Sequence, residues 1–167
     1  IGDIYLFRPE GINHFSWDIV EKLDWKQQYY EDLHVRLPEE HRQRAEKIRA
    51  EMGIPQSDWF VCLHVREGGF RNDWEVKSHR NSSIENYFKG IQLITALGGW
   101  VVRLGDSSMT PLPAMERVID YPHTPFKSAL MDMYLVSECR FFVGVNSGAL
   151  QYAWLFQKQH IIPQGLF

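Results

Sequence analysis

The chain has little of what marks several familiar classes of protein. It carries two cysteines, Cys62 in "WFVCLHV" and Cys139 in "VSECRFF". Neither has C-x-x-C or metal-ligand spacing, which excludes a disulfide framework and a structural zinc site and leaves two buried, reduced thiols as the expectation. That usage suits a cytoplasmic protein. No run reaches the ~18 apolar residues of a membrane-spanning helix, and no repeat or low-complexity tract is present. A net charge of only −3 gives no basic field for nucleic acid. The densest basic stretch, "HRQRAEKIR" at 41–49, is interleaved with Glu39, Glu40, Glu46 and Glu51 and reads as a solvated helix face. Also missing are the G-x-G-x-x-G turn of dinucleotide oxidoreductases, which "REGGFRN" does not supply, and the G-K-[ST] of P-loop enzymes. There is no D-x-D; the nearest triplet, Asp73-Trp74-Glu75, is a weak cation candidate, and no metal is expected.

What is present fits an α/β domain. A length of 167 residues is enough for one domain with a real core. Residues 1–36 are aromatic-rich and weakly periodic, and their Trp17, Trp25, Tyr29 and Tyr30 offer a docking surface if this is an interaction module. A helix is expected over 38–52, with Pro38 in its first turn and Gly53 stopping it. "WFVCLHV" (59–65), "WVVRLG" (100–105), "RVIDY" (117–121), "RFFVGV" (140–145) and "HIIP" (160–163) read as strands. Between them, 82–97, 128–138 and 149–158 have helical spacing; Ser82 and Glu85 suggest a capping box, and Gly98-Gly99 an end. Alternating strands and helices predict a Rossmann-like parallel sheet with helices on both faces. We expect residues 1–58 to be a linking, partly helical segment and 59–167 to be the domain. Opening on Ile1 and closing on "QGLF", the chain reads as a piece of something longer.

In such sheets ligands sit beyond the carboxyl ends of the strands, so the polar residues there are the candidates. His64 and Arg66 stand two apart and share a face. Arg66 offers a planar, permanently charged fork suited to phosphate oxygens. Asn146, Ser147 and Gly148 open a helix whose free N–H groups attract an anion, and Ser147 adds a hydroxyl. Asp106 follows the second strand as an acceptor for a base or ribose. Asp132 lies among apolar residues, where guanine N–H groups would satisfy it. Each has a structural alternative: a core histidine, a surface arginine, a turn aspartate at 106, an Asp132–Lys127 pair, a plain helix cap.

"HVR" (64–66), "VVRLGD" (101–106) and "DMYLVSECRFFVGVNSG" (132–148) resemble, in order, the motif regions of the fucosyltransferase superfamily. "RNSSIENY", "GDSSMTPLP" and "CRFFVGVNSG" are most similar to those of its bacterial glycosyltransferase-like members. The resemblance spans about residues 59–150 and implies the donor-binding, C-terminal half of a GT-B glycosyltransferase, with an acceptor-binding half elsewhere. It implies a nucleotide-sugar donor, GDP-type, and a carbohydrate or other hydroxyl acceptor, with no cofactor beyond that substrate. Arg66 matches the arginine on the donor diphosphate, His64 its neighbour at the nucleotide, and Ser147 the hydroxyl on the phosphate. Asp132 matches the acid contacting guanine, and Asp106 the acid near the nucleoside. The chain departs from the family at Glu67, where a second basic residue is frequent. Glu67, Asp73 and Glu75 are the local candidates for a general base, and the 66–80 loop, with Arg71, Trp74, Lys77, His79 and Arg80, for a cover over the site. A nucleotide-binding or interaction module without turnover is the alternative function.

Overall fold

The apolar run after Asp58 becomes the central strand of the sheet, with a parallel partner on each side. The computed structural model describes residues 5–7, 13–15, 35–67, 81–145 and 147–163. By compactness the chain divides into two units, Ile1–Val35 and Arg36–Phe167. The first holds an antiparallel ladder of β1 (Tyr5–Phe7) and β2 (Asn13–Phe15), with Tyr5 opposite Phe15.

The second unit runs α1 (Glu39–Glu51), β3 (Phe60–His64), a 3-10 turn (Ile84–Tyr87) leading into α2 (Phe88–Ala96), and β4 (Trp100–Arg103). It continues with β5 (Val118–Asp120), a second 3-10 turn (Tyr121–His123), α3 (Ala129–Glu138), β6 (Phe142–Gly144), α4 (Gly148–Leu155) and β7 (His160–Ile161). The strands lie in the order β5-β4-β3-β6-β7, and every pairing is parallel. The Rossmann-like α/β fold expected from the alternation is therefore the one observed. Among the described residues no helix is long and apolar enough to cross a membrane.

Alternation along β3 divides the core. Phe60 and Cys62 point to one face, where they pack with Phe142, Ala45 of α1, Leu135 of α3 and Leu150 of α4. Leu63 and Val65 point to the other, against Ile91 of α2, Val101 and Val145. Burying a side chain such as Phe60 or Leu135 contributes about 1.5–3 kcal/mol. Helices cover both faces, as a parallel sheet requires.

The domain boundary lies earlier than residue 59. Ala45 of α1 is fully buried in the core. Arg49 donates from Nη2 to the carbonyls of Pro55 and Asp58 and lies over the Phe60 ring. These contacts make α1 part of the sheet domain rather than a segment leading into it. The α2 start also differs from the capping box expected at Ser82. The Ser82 N–H is spent on the Arg66 carbonyl at 3.1 Å, so the helical turn begins one residue later, with Ser83 bonded to Glu85.

Sequence order and strand order reverse relative to one another at one place. From β3 the chain crosses by α2 to β4 on one side; from β5 it crosses by α3 to β6 on the other. The helices flanking β3 and β6 thus lie on opposite faces, and the crevice beyond the carboxyl ends of these two strands is the topological switch point, the usual ligand position in open α/β sheets.

Candidate functional site

His64 ends β3, in register with Gly144 at the end of β6. The strands approach closely there: a Cβ on Gly144 would lie 2.7 Å from the His64 carbonyl oxygen. Val145 N–H then donates to that oxygen at 3.2 Å, and the chain turns into α4 through Ser147. The Ser147 hydroxyl lies 3.1 Å from His64 Nδ1. Two residues chosen from separate strand ends are thus joined by a hydrogen bond at the switch point. Ser147 is the N-cap of α4, yet its side chain caps no N–H of that helix.

The His64 ring is held neutral. Burial, and then repulsion from the Arg103 guanidinium, lower its pKa to about 4, against an opposing pull from Asp106. Arg66, two residues further along, also disfavours a charge on the ring. Its own Nη1 donates to Asn81 Oδ1 at 2.8 Å. Asn81 opens "NSSIENY" and was not among the expected site residues; its signal was an amide directly after Arg80, at the start of a helical spacing.

The other expected residues fall as follows. Asp106 is half-buried at the same rim, and its Oδ1 accepts the Ser108 N–H at 2.9 Å. That is the turn role weighed for it, although its charge still reaches His64. Asp132 in the first turn of α3 takes the Lys127 ammonium at 2.5 Å, so the ion-pair alternative is realised. Gly148 is exposed at the first position of α4. Asn146, residues 68–80 with Asp73 and Glu75, and Trp17, Trp25, Tyr29 and Tyr30 lie outside the described residues.

Comparison with family models, with curated proteins and with solved structures finds no match. The site is therefore characterised by its own geometry.

Glu67 is not a loose carboxylate. It pairs with Arg103, whose side chain is wholly buried and also bonds Asp120 Oδ1 at 3.2 Å and the Thr110 carbonyl at 2.6 Å. Glu67 Oε2 accepts the Thr110 N–H at 2.8 Å, and Asp120 Oδ2 the Leu112 N–H at 2.8 Å. This network bolts the segment after β4 to the residue following Arg66. A carboxylate so occupied is a poor general base. Arg103 was also missed from the sequence; its signal was a lone arginine closing the apolar strand "WVVR".

A cavity of about 480 Å³ opens on the α2 face instead, against Val61, Leu63, Tyr87, Ile91, Val143 and Ile161. None of the expected site residues lines it. The switch point is distinguished by the convergence of His64, Ser147 and Asp106.

Proposed function

We propose that the 36–167 unit is the donor-binding half of a metal-independent glycosyltransferase. It would take a nucleotide-sugar, GDP-type by the resemblance above, and pass the sugar to a carbohydrate or other hydroxyl acceptor held by the second half of a GT-B enzyme. One observation carries this reading: Ser147, at the start of α4, is hydrogen-bonded to His64 across the switch point, with Arg66 two residues beyond and near enough to disfavour a charge on the ring. As the bond from sugar to diphosphate breaks, negative charge grows on the leaving phosphate. The Arg66 guanidinium and the N–H groups at the start of α4 are donors suited to that charge. The two buried free thiols suit a reducing, cytoplasmic setting.

Calorimetry of the folded chain against GDP, UDP, ADP and their sugars tests the proposal. Binding of a nucleoside diphosphate is expected; a folded sample that binds none of them overturns it. The capture of Glu67 by Arg103 favours a second reading, in which the domain binds a nucleotide without turning it over. Under that reading the same titration succeeds and no sugar is transferred even when an acceptor-binding half is supplied.

A further inference from the structure

We infer that His64 is a positioning residue: its Nδ1–H donates to Ser147 Oγ, which leaves the Ser147 hydroxyl proton free to point at a bound diphosphate. This rests on the donor-site reading above and replaces direct contact between His64 and the nucleotide with action through Ser147.

An N-cap serine ordinarily lends its oxygen to the N–H groups of its own helix. Ser147 does not; its oxygen is committed to His64 at 3.1 Å. With its ring held neutral by burial and by Arg103, His64 carries one N–H, so the bond has two possible directions. With the proton on Nε2, Nδ1 accepts the serine proton and Ser147 Oγ turns only lone pairs to the crevice. Ionised phosphate oxygens are acceptors too, and that arrangement repels them. With the proton on Nδ1, the ring donates to Oγ and the serine becomes a donor toward the crevice. Arg66 and the start of α4 select for an anion there, and an anion without protons selects the second arrangement. The His64 tautomer thus sets whether Ser147 greets a phosphate or a hydroxyl.

Nitrogen-15 NMR of the wild-type imidazole with saturating GDP tests this directly. A protonated Nδ1 and a bare Nε2 are expected; the reverse overturns the inference. Titrations of Ser147→Ala, His64→Leu and the double variant provide the second arm. Each single change is expected to weaken GDP binding about tenfold, and the double variant to bind no worse than Ser147→Ala. His64→Asn, whose amide N–H replaces that of Nδ1, should recover most of the loss. Guanosine, which lacks the phosphates, should be bound alike by all. Additive losses, or equal losses for guanosine, overturn the role of His64 while leaving the donor site standing. Failure of the wild type to bind any nucleoside diphosphate overturns the donor-site reading itself.

Discussion

Arg103 and Glu67 form an ion pair at the carboxyl rim, the arginine side chain wholly buried and the glutamate partly so. Removing one partner of such a pair strands a charge in a medium that solvates it poorly, a loss of about 3–5 kcal/mol. Because Asp120 still faces Arg103, Glu67→Gln should fall at the lower end, about 3 kcal/mol. Urea unfolding measures it. A loss under ~0.5 kcal/mol, typical of a surface substitution, would mean the pair is solvated and does not hold the loop.

Gly144→Ala should be worse than its size suggests. The added Cβ meets a backbone oxygen, that of His64, at 2.7 Å and the Phe142 ring at 2.7 Å. A carbonyl paired into a central strand cannot swing away as a flexible side chain could. A loss of about 1–3 kcal/mol is expected from overpacking, together with shifted amide resonances at His64 and Val145.

The depressed pKa of His64 makes stability fall with acid. In the unfolded chain the ring takes a proton near pH 6.5; in the folded protein it does so only near pH 4. Protons therefore bind the unfolded state more readily, and the contribution of this group is present above pH 6.5 and lost as pH falls toward 4. A gap of that size corresponds to about 3 kcal/mol. Unfolding free energies of wild type and His64→Asn at several pH values should converge across that window; parallel curves would show that His64 titrates normally.

Arg66→Ala is expected to weaken nucleoside diphosphate binding by about 2–4 kcal/mol, since a charged partner of the phosphates is lost. Asn81→Ala, which removes one acceptor of the Arg66 guanidinium, should cost about 1 kcal/mol. Calorimetry ranks the two. An Asn81→Ala loss equal to that of Arg66→Ala would place Asn81 itself on the ligand.

Cys62 and Cys139 are both free and buried, and burial raises the Cys62 thiol pKa well above its ordinary value. A thiol reagent should leave both unmodified in the native protein and label two thiols per chain once it unfolds. Rapid labelling under native conditions would show that the core opens easily.

The sheet was legible in the sequence because its strands are short apolar runs set between helical spacings; "WFVCLHV" and "RFFVGV" became β3 and β6 with ends shifted by one or two residues. The meeting of His64 and Ser147 was legible because both follow parallel strands at the carboxyl edge of the sheet. Asp132 was not, because nothing in "ALMDMYLV" says whether its carboxylate meets a ligand or Lys127, five residues away. The network of Arg103, Glu67 and Asp120 was missed for a related reason: the three come together only when the ends of β3, β4 and β5 align, and no spacing along the chain encodes that alignment.

The order of strands also bears on when the crevice can come into being. Its central strand, β3, finds its neighbours some 40 and 80 residues later, at Trp100–Arg103 and Phe142–Gly144. Such distant pairings close slowly. During synthesis the His64 imidazole has emerged long before its hydroxyl partner, so the site is completed only once the chain has reached Ser147.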